Sequence, residues 1–433
     1  MKEQKRSLNF YRWIAFTCVG FAFFLNMFHR ASTGVLKGLL VPEFGLSATA
    51  FSNFGAMFFY PYVVMQMPSG ILVDRYGPRY VLGFSTLVCA AGALLFSMSG
   101  SYGMACLGRA IIGCSMGTVV VCNQKVCSQW FPENRVATIS AFGGAFSNLG
   151  TFAAQAPLAF MVGIMGWRGM FGALAVFAAV LSAVTLLFVR NTPEDIGLPP
   201  VNEALRNKGS QKSARVPFKQ SFKALMSNKY IYPMLIALSI QLGTYTLFSG
   251  TWGVPFMEEV FRLSTIDAAK YTSALAMGSM IFGLLLPTIS DTIRNRKAPL
   301  FVTFGVSAAI WIALTFFSTR LSPGFGLLLM MFLLGMSGCS TGLMYSIVRE
   351  INDPRTVGVS VGTCNMIAMS SCIYMPIIAG VLMDKYTAQG LSGVPLFQRA
   401  FTFCAVLSVL GFVSIFPMKE THGRNVYREL SAK

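Results

Sequence analysis

The sequence predicts an all-α polytopic membrane protein, with twelve transmembrane helices in two pseudo-symmetric six-helix bundles. Three observations predict it. Of 433 residues, 54% are hydrophobic and only 12% charged, with a mean hydropathy of +0.61, a balance foreign to soluble globules. Apolar runs long enough to cross a roughly 30 Å hydrocarbon core recur along the whole chain. A short charged hairpin also recurs at half the chain length, so the two halves repeat one another.

The runs fall near 13–38, 48–72, 80–99, 103–127, 136–162 and 167–189, and again near 231–257, 268–290, 298–319, 323–348, 356–383 and 397–417. Residues 1–189 therefore form an N-terminal bundle and 231–433 a C-terminal bundle with a tail. Between them, 190–230 is a polar, basic linker. It opens on Arg190-Asn191-Thr192-Pro193-Glu194-Asp195 and continues through Arg206, Lys208, Lys212, Arg215, Lys219 and Lys223. Lys2, Lys5 and Arg6 precede a first run long enough to span and remain, so no cleavable leader is expected. Placing the termini and the even-to-odd loops on one face gives that face 25 of the 34 lysines and arginines. The positive-inside rule then puts both termini and the linker in the cytoplasm, and the chain in a cytoplasmic (inner) membrane.

Composition also excludes. The formal charge of +18 does not point to nucleic acid, because the cations fall between apolar runs, where lipid headgroups are the expected partner. The ten cysteines lie in or at the ends of apolar runs without metal spacing, and read as packing residues. No phosphate-binding Gly-Lys-Ser/Thr loop, metal cluster or nucleophile elbow occurs, so neither an enzyme nor a cofactor is expected. All sixteen acidic residues fall in loops, tails or span ends, so no mid-span carboxylate is available to carry a proton.

Taken in order, the first run holds His29 and Arg30. An arginine near the bilayer centre costs on the order of 2.5–3.5 kcal/mol and must face water or a partner. Asn26, Arg30, Thr33 and Lys37 fall at helical spacing on one face. Arg30 either grips an anionic group, such as a carboxylate, by forked hydrogen bonds, or is a structural arginine satisfied by carbonyls and hydroxyls. His29 is the one mid-span group with an ordinary pKa near neutrality, and is either a proton carrier or a packing residue. Tyr62 and Gln66 follow on the second run.

The hairpin Gly70-Ile-Leu-Val-Asp74-Arg75-Tyr-Gly77-Pro-Arg79 joins the second and third runs, and Ser290-Asp291-Thr-Ile-Arg294-Asn-Arg296-Lys297 joins the eighth and ninth. In the fourth run, Gly113 and Gly117 offer a small-residue face. Arg109 is a second cavity cation, a structural partner for a carbonyl, or part of a gate, and Lys125 is a surface anchor. Asn148, Thr151 and Gln155 share one face of the fifth run. On the seventh, Gln241, Tyr245, Phe248 and Trp252 repeat the spacing seen on the first, among glycines that ease bending. Asn365 and Tyr374 lie on the eleventh. Together these residues outline a cavity with one strong cation, amides and aromatic rings, suited to a small organic anion or an amino-acid-like zwitterion.

The first hairpin resembles the loop between the second and third helices of the major facilitator superfamily, roughly G-x-x-x-D-R-x-G-x-R. The second copy departs from it, with Pro287 and Arg294 at the two glycine positions. Gly108-Arg109…Gly113…Gly117, Trp130-Phe131-Pro132…Arg135 and Gly166-Trp167-Arg168 are similar to further family stretches, so the resemblance covers nearly the whole chain. Within the superfamily, the chain looks most like the anion:cation symporter-type carriers and the related amino-acid and dipeptide carriers.

The resemblance implies a functional monomer working by alternating access, most simply in uptake, with a co-transported proton as one coupling. Carriers of organic anions of this type often have an arginine placed like Arg30. It also implies that Asp74, Arg75, Arg79, Asp291 and Arg296 latch and release helix ends, with Asp74 facing the chain near Val357 and Asp291 facing it near Val136. Arg135, Glu350 and Arg355 join that gate. Two other readings stay open: a multidrug or metabolite efflux antiporter, and a non-transporting sensor of the same fold. Against the antiporter, Ala141–Asn148 lacks the Gly-Pro motif such exporters carry.

Overall fold

A computed structural model describes residues 2–199, 201, 218–354 and 356–427. Arg206, Lys208, Lys212 and Arg215 of the linker, and Arg355, lie outside the described residues. Every regular element among the described residues is helical. Among these residues ten helices are long and apolar enough to cross a membrane, and two broken helical stretches, at 48–76 and 133–165, bring the described spans to twelve.

The chain divides into two compact units: Met1–Ser32 with Met57–Ser213, and Thr33–Ala56 with Ala214–Lys433. In chain order, α1 is Lys2–Ala31, α2 Lys37–Phe44, α3 Ala48–Ala56 and α4 Phe59–Ser97. Next come α5 Tyr102–Met116, α6 Val119–Trp130, α7 Glu133–Ala153 and α8 Ala156–Phe188. By their contacts, α2 and α3 group with the second unit.

Within the first unit, α4 and α8 each join the end of one span to the next span at a glycine. Gly77 sits at φ 80°, ψ 160° and Gly166 at φ 71°, ψ 165°, a region almost closed to residues with a Cβ. Each kink is pinned by the arginine two residues on. Arg79 donates from Nε to Leu186 O at 2.9 Å, and Arg168 donates to Ser99 O at 2.7 Å. The small-residue face of α5 has the packing role its glycines suggest. A Cβ on Gly113 would stand 1.9 Å from the Phe58 carbonyl oxygen, and one on Gly108 2.8 Å from Phe96 N.

The second unit continues with α9 Phe218–Ser227, α10 Ile231–Thr246, a π-helical turn Leu247–Trp252, and α11 Gly253–Phe261. It ends with α12 Thr265–Ile293, α13 Lys297–Phe316, α14 Phe325–Leu334, α15 Met336–Ile351, α16 Val357–Ala388 and α17 Gly393–Val413. Close approach recurs: a Cβ on Gly278 would meet the Phe332 carbonyl oxygen at 1.9 Å. Phe248, Phe256, Trp311, Phe397 and Phe401 form an aromatic core in which the rings of Phe256 and Phe401 stack at 5.6 Å. Such pairs contribute about 0.5–1.5 kcal/mol each beyond the area they bury.

Candidate functional site

In the first unit, the candidate residues gather where α1 ends. An α-helix leaves its last carbonyls without partners, and here side chains from neighbouring helices supply them. Arg109, fully buried on α5, donates from Nη1 to His29 O at 2.6 Å, and Gln155 Nε2 donates to Ala31 O at 3.4 Å. A guanidinium at a helix C-terminus is favoured by the macrodipole as well as by the bond. Of the three roles open to Arg109, carbonyl partner is the one its geometry displays.

Arg30 lies half-buried in the last turn of α1, its guanidinium 5.1 Å from the centre of the Phe59 ring. One turn earlier, Asn26 is fully buried and neither atom of its amide is hydrogen-bonded. Tyr62 stacks on Phe58 at 5.7 Å, and Arg109 stands over the same Phe58 ring at 5.7 Å. His29 packs against Phe28 and Phe171, and neither of its ring nitrogens is hydrogen-bonded. Gln66 is half-buried on α4, and Asn148 is half-buried on α7.

Two expected stripes are interrupted. Regular α-helix stops at Ala31, so Thr33 and Lys37 do not continue the face of Asn26 and Arg30. Lys37 instead opens α2, pairs with Glu259 at 2.5 Å and lies 5.2 Å over Trp252. The fifth-span face breaks because α7 ends at Ala153, which turns Gln155 back to the end of α1.

In the second unit, the π turn changes the register. A π stretch takes more residues per turn than an α-helix, and such turns cluster at functional sites. Phe248 therefore enters the aromatic core, while Trp252 packs on Phe51 and Phe397 and donates from Nε1 to Ser52 Oγ at 3.1 Å. Gln241 is buried with its Nε2 unbonded. The Tyr245 ring lies against Gly338, where a Cβ would come within 2.7 Å of it. Asn365 Oδ1 accepts a 2.6 Å hydrogen bond from the Tyr345 hydroxyl. Tyr374 faces outward on α16.

The charged hairpins take partners within their own units. Asp74 pairs with Lys125 at 2.7 Å, so Lys125 is more than an anchor, while Arg75 and Arg135 are exposed. Arg296 bridges Asp291 at 2.5 Å and Glu350 at 2.9 Å. Burial alone would lower its pKa, but the bonds to Glu350 and Asp291 outweigh that and raise it. The helix that follows each hairpin is capped by a side chain from beyond the sixth or twelfth span. Asn191 Oδ1 accepts from Arg79 N at 2.9 Å, and the Glu420 carboxylate accepts from Arg296 N and Lys297 N at 2.9 and 2.8 Å.

Sequence reading missed several of these residues. Phe59, Ser52, Glu259, Asp384, Tyr345 and Glu420 carry no periodic signal, because each matters through a contact with a distant segment. Asp384 accepts from Ala48 N and Thr49 N at 2.8 and 2.9 Å, capping α3 from 335 residues away.

Comparison with known proteins agrees with this architecture. The probable L-galactonate transporter of Escherichia coli (strain K12) is 26% identical, over 90% of this chain and 85% of its own length. The probable galactarate/D-glucarate transporter GudP of Bacillus subtilis (strain 168) is 23% identical, over 92% and 91%. Among solved structures, a D-xylose-proton symporter superposes with a TM-score of 0.72 at 15% identity, covering 96% of this chain and 100% of that one. An inward-facing, unoccupied bacterial homologue of the human lysosomal transporter Spinster also gives 0.72, at 14% identity, covering 98% and 97%. These two likenesses speak for the fold alone. The sequence profile of the Major Facilitator Superfamily matches residues 19–368, and with that match the chain belongs to this superfamily of multi-pass membrane transporters.

Proposed function

We propose that this chain is a secondary carrier of the anion:cation symporter type that moves a small organic anion, of the polyhydroxylated sugar-acid class, by alternating access. In this reading Arg30 holds the carboxylate. The observation that carries it is the pairing of Arg30, poised over Phe59, with a buried Asn26 amide one turn away that has no protein partner. A buried unsatisfied amide costs about 1–3 kcal/mol, a cost that a bound hydroxyl or water removes. A guanidinium and an amide four residues apart match a carboxylate with a neighbouring hydroxyl. The names of the sugar-acid transporters similar to this chain point to the same chemistry. In the second unit, Gln241, Tyr245 and the Tyr345–Asn365 pair are the polar groups we assign to hydroxyl recognition.

The same proposal covers the two-bundle division at 1–189 and 231–433, uptake across a cytoplasmic membrane, and cytoplasmic termini, for which the bias of basic residues to one face is the support. Thermal unfolding of the purified chain against galactonate, glucarate, amino acids and lipophilic cations tests it. Ligand stabilises by RT ln(1 + [L]/Kd), so even millimolar binders register. A sugar-acid shift in wild type that is lost in Arg30→Ala is the expected result. A shift that survives in Arg30→Ala removes Arg30 from the site, and a response to amino acids or lipophilic cations alone replaces the substrate class. Substrate-dependent flux in vesicles then separates transport from sensing.

A further inference from the structure

We propose that the second unit carries a phosphate-binding site, separate from the substrate groups, in the cleft between the hairpin after α12 and the C-terminal tail. The cleft has a volume of about 660 Å³, and its lining includes Ser290, Asp291, Arg294, Arg296, His422 and Arg424. Both walls are fixed in place by hydrogen bonds. On the tail, Glu420 accepts from Arg296 N, Lys297 N, Thr421 N and His422 N at 2.8–3.0 Å. Thr421 donates to the Glu350 carboxylate, and Val426 N donates to Glu350 O at 2.8 Å. Across the cleft, a ring nitrogen of His422 meets Arg294 O at 3.0 Å.

Charge identifies the ligand. Arg296 is committed to Asp291 and Glu350, whereas among the described residues no carboxylate pairs with Arg294 or Arg424. The lining therefore holds three guanidiniums against one carboxylate, with an imidazole and a hydroxyl beside them. Two uncommitted guanidiniums, one from the hairpin and one from the tail, suit an anion with several oxygens, and phosphate offers them in every direction. A carboxylate, with two oxygens in one plane, would satisfy one wall only.

The left-handed backbone of Arg294 (φ 49°), His422 (φ 52°) and Gly423 (φ 71°) shapes the two walls. Ile289 and Ile293 are about half-exposed on the last turns of α12, and Ile293 also lines the cleft. A phosphate group carried on an anionic phospholipid or on a soluble molecule satisfies the same chemistry. Either would tie the Asp291–Arg296 hairpin to the tail, so occupancy would stiffen the hairpin.

The test uses the full-length chain in detergent, as wild type, as the double variant Arg294→Gln/Arg424→Gln, and as Arg424→Glu alone. Native mass spectrometry counts retained lipid from equal amounts of phosphatidylglycerol and phosphatidylcholine with the same acyl chains. Thermal unfolding with inorganic phosphate is run in parallel, with Arg30→Ala included to separate any phosphate held at the substrate groups. The expected result is at least tenfold weaker retention of phosphatidylglycerol in the double variant, the factor that about 1.4 kcal/mol represents, with phosphatidylcholine unchanged. That outcome assigns the phosphate to a lipid headgroup. A phosphate-dependent shift in wild type and Arg30→Ala that is absent in the double variant assigns it to a soluble anion. Equal phosphatidylglycerol retention and equal phosphate response in all variants overturn the proposal. If the double variant does not fold, Arg424→Glu is read by the same criteria.

Discussion

Gly77 and Gly166 allow backbone strain and side-chain crowding to be measured apart. Both hold the same conformation, φ 80°, ψ 160° and φ 71°, ψ 165°, and both are followed two residues later by an anchored arginine. Their surroundings differ. A Cβ on Gly77 would stand 2.3 Å from Asn191 Oδ1, whereas one on Gly166 meets nothing within 4 Å. Alanine at either site should cost roughly 1–3 kcal/mol for a backbone region that is nearly glycine-only. At Gly77 it must also push out Asn191, which caps the next helix through its bond from Arg79 N, adding about 0.5–1.5 kcal/mol.

Gly77→Ala should therefore lie about 1 kcal/mol below Gly166→Ala in stability. Adding Asn191→Ala should cost less in the Gly77→Ala background than in wild type, because the added methyl has already displaced Asn191 from its bond with Arg79 N. The assay is thermal unfolding of detergent-purified variants at a single scan rate, followed by tryptophan fluorescence. Equal losses at the two glycines would show that Asn191 plays no part. No loss at either would refute the claim that the kinks require glycine.

Further expectations rest on other contacts. Burial pushes the Glu420 carboxyl up, but the N–H groups of Arg296, His422, Lys297 and Thr421 outweigh it and hold its pKa below the usual carboxylate value of 4.5. Its contribution to stability is thus complete above about pH 4.5 and is lost as pH falls through the lower folded-state value. Wild type should lose more stability than Glu420→Gln over that acid range; parallel pH–stability curves would contradict this. Asp384→Ala removes the cap of α3 and should destabilise by about 1 kcal/mol, read as earlier proteolysis within 33–56. His29→Asn should leave pH-dependent uptake in vesicles intact if His29 only packs against Phe28 and Phe171, and abolish it if it carries the proton. Tyr345→Phe keeps the ring and frees Asn365 Oδ1, so it should weaken binding of hydroxyl-rich anions by several fold while barely moving the melting temperature. An unchanged affinity would take that pair out of the site.

The twelve helices were legible in the sequence, because a bilayer rewards only long apolar runs whose backbone bonds close internally. The repeated hairpin was legible too, since Asp and Arg at fixed spacing survive as pattern. Arg30 stood out because a cation in an apolar run is costly wherever it points. The stripes on the first, fifth and seventh spans failed beyond Ala31, Ala153 and Leu247, where the helices stop or change pitch, because periodicity extrapolates only while 3.6 residues make each turn. Which groups meet was decided by tertiary structure alone. Arg109 and Gln155 finish α1, Asp384 caps α3, and Glu420 holds the start of α13. In each case a polar group left open at a helix end is satisfied by a side chain remote in sequence. Local pattern reveals the open end; only the packing of the whole chain chooses the partner.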